Sequence, residues 1–192
     1  MTTLYLLRNA QTLPMPDAAN AMWALSQAGR EQAQALVAPL QELQIDSIVS
    51  SPLVRAKNTV EPFSGAVGLQ IHEHESLTDQ ILTAEYLPPS DFQELTQKMW
   101  EDFDFSEPGC ESNRACEARV LKGIQQIVDE QGEKRVLVCT HGQIIALLLH
   151  ALDESYNMQD WANMQMPHLY EVTYTAGEGR WERHFATPAL NV

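Results

Sequence analysis

The chain has 192 residues, 44% hydrophobic and 20% charged, the balance of an ordinary globular domain rather than a disordered segment. Lys and Arg number 12 against 26 Asp and Glu, a net charge of −14, so the surface as a whole repels phosphate backbones and anionic lipid. That argues against nucleic-acid and membrane partners, and an anion must be handled by a few cations gathered in one place. Cys110, Cys116 and Cys139 are odd in number and form no CxxC pair, as expected of reduced thiols. The opening Met1-Thr2-Thr3 has no basic region of a signal peptide, and the most apolar run, residues 144–149, is far short of the ~20 needed to span a bilayer. A cytoplasmic protein of one domain, residues 1–192, is the expectation.

In chain order, residues 4–7 are an apolar run ending at Arg8 and predict a buried strand. Ala33, Leu36, Val37, Leu40 and Leu43 recur at helical spacing over 26–43, with Ser26 as N-cap and Pro39 expected to kink or split the helix. Residues 47–50 predict a second strand, and 53–66 a helix with Pro52 at its first turn. Residues 69–77 alternate as a half-exposed strand, and 78–89 are irregular. A helix then begins at Ser90 and Asp91, and a long one over 112–131 is stopped by Gly132. Val136-Leu137-Val138-Cys139 marks the clearest buried strand, 135–140, followed by an almost wholly apolar helix over 142–152. Strands over 169–175 and 181–185 close the chain. Strands alternating with helices predict an α/β fold with a mainly parallel sheet.

Ligand crevices in such sheets form beyond the carboxyl ends of the strands. The first strand delivers Arg8-Asn9-Ala10-Gln11-Thr12, the second Ser51-Pro52-Leu53-Val54-Arg55, the third Thr78-Asp79, and the 135–140 strand His141-Gly142. Two arginines, whose planar forks grip phosphate oxygens, thus meet a histidine and a carboxylate. Gly142 adds the free N–H groups of a helix start. These residue types at these places predict a phosphate pocket, although Arg8 and Arg55 could equally pair with surface carboxylates and His141 could be a core histidine.

The segments Leu6-Leu7-Arg8-Asn9-Ala10-Gln11-Thr12, Ser50-Ser51-Pro52-Leu53-Val54-Arg55-Ala56, Pro108-Gly109-Cys110-Glu111-Ser112 and Val136-Leu137-Val138-Cys139-Thr140-His141-Gly142 resemble, in that order, the histidine phosphatase superfamily. These are the phosphoglycerate-mutase-like proteins, here of the short branch. The resemblance covers nearly the whole chain and implies a three-layer α/β sandwich. The activity it implies is cofactor-independent phosphomonoester hydrolysis through a phosphohistidine, with no metal. It places substrate binding on Arg8, Arg55, Thr12, Glu111, Ser112 and Gly142, and catalysis on His141, with Asp79 where that branch has its general acid. The implied ligand is a small phosphorylated metabolite or phosphate, and the oligomeric state is left open, a homodimer included.

Four residues depart from the pattern: Cys110 stands for a glycine, Gln11 for an acidic residue and Asp79 for the longer glutamate, but the departure that matters most is the fourth. The family's nucleophilic histidine follows the first arginine, and Asn9 stands there. A carboxamide nitrogen has its lone pair delocalised and does not attack phosphorus. The sequence therefore predicts phosphate binding with poor turnover, whether in an inactivated phosphatase or in a binding protein that has lost the chemistry. A phosphoglycerate mutase fits less well. Three further features carry weaker signals. His72 and His74 alternate with glutamates as on a solvated strand face. Trp100, Phe103 and Phe105 lie in an acidic run that is either a lid or a helix end. Met158, Trp161, Met164 and Met166 suggest core or interface filler, with His150 and His168 as packing residues.

Overall fold

A computed structural model describes residues 1–15, 22–82, 87–175 and 180–184. Six strands form one sheet: β1 Thr2–Arg8, β2 Ser47–Ser50, β3 Ile71–Glu73, β4 Arg135–Thr140, β5 His168–Thr175 and β6 Arg180–His184, in the spatial order β3-β2-β4-β1-β5-β6. The first four of these neighbours pair in parallel; β5 joins β1, and β6 joins β5, antiparallel. The helices are α1 Gln27–Ala35, α2 Val37–Glu42, α3 Val54–Val67, α4 Pro89–Glu101, α5 Asn113–Gln131, α6 Gly142–Leu152 and α7 Met158–Asn163. The expected mainly parallel α/β sandwich is the architecture found.

The central strands are apolar on both faces because both are covered. Leu4, Leu6, Val136 and Val138 point into a core with Val120 and Ile124 of α5 and Leu147 of α6. Their neighbours Tyr5, Leu7, Leu137 and Cys139 point the opposite way, against Leu40 of α2 and Val60 and Phe63 of α3. The helix expected over 26–43 is broken at Leu36 rather than at Pro39. Proline has no N–H to give the carbonyl four residues back, at Ala35, and its ring crowds that oxygen. One helix therefore ends at Ala35, and Pro39 falls in the first turn of the next. The strand expected over 69–77 is only three residues long and passes into a 3₁₀ turn, Glu75–Leu77. Ser26 caps α1 and Ser112 caps α5 as their side chains allow, each hydroxyl accepting an N–H three residues on, from Gly29 and Ala115. The last expected strand runs to His184; Phe185 lies outside the described residues. Among the described residues no helix is long and apolar enough to cross a membrane.

Candidate active site

The parallel pairing continues past the ends of the central strands. Asn9 N–H donates to Thr140 O and Ser51 N–H donates to Cys139 O, each at 2.9 Å, so Asn9, Ser51 and His141 emerge side by side at the carboxyl rim. Arg8 closes β1, and Arg55 lies in the first turn of α3 behind Ser51. Thr59, one turn on, ties that helix to the β1 loop: its hydroxyl donates to Arg55 O at 2.7 Å and accepts the Ala10 N–H at 2.9 Å. Asp79 arrives from the sheet edge through the 3₁₀ turn, whose Leu77 carbonyl is held by the Thr140 hydroxyl at 2.7 Å.

His141 is 2% exposed and fully bonded. Asn9 Nδ2 donates to Ala10 O at 2.9 Å, which turns its Oδ1 toward His141 Nδ1 at 3.1 Å. That nitrogen must therefore carry the proton. Nε2 is left to accept the Ser51 hydroxyl at 2.8 Å, while the Leu53 N–H donates to that hydroxyl oxygen at 3.3 Å. Arg55, 3% exposed, donates through Nη2 to Asp79 Oδ2 at 2.8 Å; the same carboxylate oxygen is 3.6 Å from His141 Nδ1. The Arg8 guanidinium donates to Met164 O and, at 3.4 Å, to Gln165 O. Its flat face rests on Gly142, where a Cβ would stand 2.9 Å from Nε; only glycine lets the guanidinium lie against the start of α6.

Burial pushes His141 down to about 4, with the charges of Arg55, Arg119 and Arg8 adding to that and Asp79 opposing it. Its ring is therefore neutral near pH 7. Burial alone would raise the Asp79 carboxyl, yet it is held below the ordinary carboxylate value by the charges of His141 and Arg55 and by its hydrogen bonds from Arg55 and the Gln80 N–H. Because His141 is neutral at that pH, Arg55 is the partner that keeps Asp79 ionised. The site is a neutral imidazole and a carboxylate among arginines, whose guanidinium groups can grip the oxygens of an entering dianion.

Not every residue singled out in the sequence faces this cluster. Glu111 directs both oxygens to Arg119, and Ser112 uses its hydroxyl as an N-cap. Thr12 is half-buried, its backbone bridged to Leu25. Trp100 and Phe103 pack against the larger core instead of covering the site, as does Trp161, while Met164 lies within that core and Met166 is exposed. His74 Nδ1 bonds Ser76 Oγ at 2.7 Å, His150 meets Trp100 and Phe103, and His168 meets Tyr170. Among the described residues no group of three His, Cys, Asp or Glu is placed to hold a metal ion. Sequence reasoning missed Ser51 as the partner of His141, and missed Arg119 altogether. The pairing of Ser51 with residue 141 is a register effect that the sequence carries only implicitly.

Over residues 4–187 the chain matches the histidine phosphatase superfamily, branch 1. It belongs to that superfamily. Solved structures with the same fold include the mycobacterial glucosyl-3-phosphoglycerate phosphatase in complex with inorganic phosphate, at 24% identity and TM-score 0.79 over 99% of each chain. Bacillus stearothermophilus YhfR is 22% identical, with TM-score 0.80 over 95% of each chain. A phosphoglycerate mutase from Bacillus anthracis is 20% identical, with TM-score 0.78 over 97% of this chain and 92% of its own. No curated protein sequence matches significantly.

Proposed function

We propose that this superfamily member is a phosphomonoester phosphatase of the histidine phosphatase type whose turnover is held very low by Asn9 at the nucleophile's place. The observation that carries the reading is the side-by-side emergence of Asn9, Ser51 and His141 beside the Arg55–Asp79 pair, with Arg8 at the end of the same strand. In the working form, an imidazole nitrogen at residue 9 attacks phosphorus as the bond to the leaving oxygen breaks. Arg8, Arg55 and His141 hold the equatorial oxygens. Asp79 takes up a proton as the bound dianion draws Arg55 away from it, and passes that proton to the leaving oxygen. Water then gives a proton to the Asp79 carboxylate and attacks phosphorus as the phosphorus–nitrogen bond breaks, which releases phosphate and regenerates the imidazole. With Asn9 the first bond does not form. Losing one member of such a set costs on the order of 10⁶ in turnover. Three cysteines without a disulfide support a cytoplasmic setting, and a few arginines gathered in a chain of net charge −14 support a small phosphorylated metabolite over a large polyanion as ligand.

A second reading, a protein that holds a phosphorylated ligand without turning it over, is favoured by how completely Asn9 is accommodated, with both ends of its carboxamide bonded and 5% of the residue exposed. Asn9→His separates the two. The working reading expects a gain of orders of magnitude on p-nitrophenyl phosphate. The absence of a gain in a folded variant overturns it in favour of binding alone. Either reading expects vanadate to raise the melting temperature of the chain as it stands, and Arg8→Ala to abolish that rise.

A further inference from the structure

Outside the groups just described, half-buried Arg119 of α5 binds four groups at once. Nε and one Nη2 proton reach the two oxygens of Glu111 at 2.8 and 2.6 Å, and the other Nη2 proton faces Cys116 Sγ at 3.3 Å. Nη1 donates to the carbonyls of Ser76 at 2.7 Å and Thr78 at 3.0 Å. All five N–H donors of the guanidinium are engaged, and two of them hold the short segment that ends at Asp79. Gly123 lies one turn further along the same face of α5. A Cβ there would stand 1.7 Å from Ser76 Oγ and 2.3 Å from Ser76 Cβ, so the helix sits flush on the 3₁₀ turn. From the far side, Gln80 Nε2 donates to Glu111 O at 2.9 Å and to Asn113 Oδ1 at 3.2 Å. The backbone on both sides of Asp79 is therefore tied to the start of α5, while among the described residues the carboxylate itself meets Arg55, His141 and the Gln80 N–H.

We infer that Arg119 is the positioning residue for Asp79: its guanidinium clamps the 76–78 carbonyls onto the Glu111 loop and so sets the carboxylate between Arg55 and His141. This rests on the reading of Asp79 as the proton donor. A donor is useful only within hydrogen-bond reach of the leaving oxygen, and misplacement by about 1 Å costs on the order of 10² in rate. Lysine cannot substitute, because one ammonium cannot grip a carboxylate bidentately and hold two carbonyls as well. A strut that served stability alone would affect all substrates alike.

The first test uses the chain as it stands. The carboxyl carbon of Asp79 is followed by NMR through a pH titration in the parent and in Arg119→Lys. The expected result is a midpoint raised by at least about half a pH unit in the variant, since a freed turn draws Asp79 away from Arg55; an unchanged midpoint in a folded variant overturns the inference. Should Arg119→Lys not fold, Gly123→Ala displaces the same turn with the guanidinium in place, and is held to the same criterion. The second test adds Arg119→Lys to Asn9→His. Loss of kcat by about 10- to 100-fold on an alkyl phosphate, with p-nitrophenyl phosphate within about twofold and KM unchanged on both, is the signature of a misplaced acid. An equal loss on both esters overturns the inference. Inactivity of Asn9→His alone on both esters would count against the proposed function, and the titration would still decide the role of Arg119.

Discussion

Arg55 and Asp79 form a buried-side ion pair, 2.8 Å from Nη2 to Oδ2, in the place where the proposed function needs Arg55 to receive phosphate. A tetrahedral dianion entering the site must share or take over that guanidinium. Once it does, Asp79 loses the charge that holds its carboxyl low, and His141, pushed down to about 4 by burial, gains an anionic neighbour. Both groups then bind protons more readily than before, so binding takes up protons and strengthens as the pH falls. Tungstate or sulfate, which stay dianionic between pH 8 and pH 6, isolate the protein's contribution. The expected affinity gain is up to about tenfold per pH unit for one proton. Calorimetry in two buffers of different ionisation enthalpy counts the protons, and a flat profile would remove Asp79 and His141 from the binding site.

The same histidine fixes how the fold responds to acid. Its folded-state value of about 4 lies below the unfolded value of 6.5, so between those limits the unfolded chain binds a proton that the folded chain refuses. Its contribution is fully present above pH 6.5 and is lost as the pH falls toward 4, by roughly 3 kcal/mol in all. Asp79, lowered in the folded state from 3.8, acts in the window below that: its contribution is present above 3.8 and disappears as the pH falls through its folded value. Urea midpoints at pH 7, 5.5 and 4.5 should decline more steeply for the parent than for His141→Gln. Parallel declines would place the acid sensitivity in other groups.

Strand ends and apolar runs were legible because a parallel sheet covered on both faces requires them: residues 135–140 and 142–152 were bounded correctly from Val136-Leu137-Val138-Cys139 and Gly142 alone. Arg8, Arg55, Asp79 and His141 were legible for a related reason, since each follows a strand and strand ends converge at one rim. What local pattern could not carry was the partner of each group. Glu111 lies in a motif that suggested the pocket, yet a cation eight residues later, Arg119, captures its carboxylate. α7, Met158–Asn163, was missed because it buries none of its six residues and is held instead by the capping box of Asn157 and Asp160. That Pro39 splits the helix of 26–43 was legible, while the place of the break, at Leu36, follows from the carbonyl four residues before the proline, which the pattern does not mark.

The contact of Arg8 with Gly142 makes a substitution that should separate folding from binding. A Cβ at residue 142 would stand 2.9 Å from Arg8 Nε and 3.0 Å from Cζ, so the guanidinium must lift off the start of α6. What it meets is the far end of a flexible side chain, and a helix's first position takes alanine without strain. Gly142→Ala is therefore expected to leave the urea midpoint near that of the parent, and to weaken vanadate binding about tenfold through loss of a bidentate partner. Unchanged affinity in a folded Gly142→Ala would show that Arg8 is not a ligand for the anion.

Gly29 presents the opposite case, in which the obstacle is backbone. A Cβ on this residue of α1 would lie 2.0 Å from the carbonyl oxygen of Gln11 and 3.0 Å from its carbon. Gln11 cannot retreat freely: its N–H bonds Gln32 Oε1 at 3.0 Å, its carbonyl accepts the Ser26 N–H at 3.0 Å, and Ala10 before it is tied to Thr59. Relief must come from moving α1 or the loop that carries Asn9, and forced insertion of a methyl into a packed interior typically costs about 1 to 3 kcal/mol. Gly29→Ala should lower the urea midpoint accordingly. Because the displaced loop begins at Arg8 and Asn9, it should also weaken vanadate binding, unlike a destabilising change at the opposite end of the sheet. A Gly29→Ala protein as stable as the parent would mean that α1 lies further from the β1 loop than the 2.0 Å approach implies.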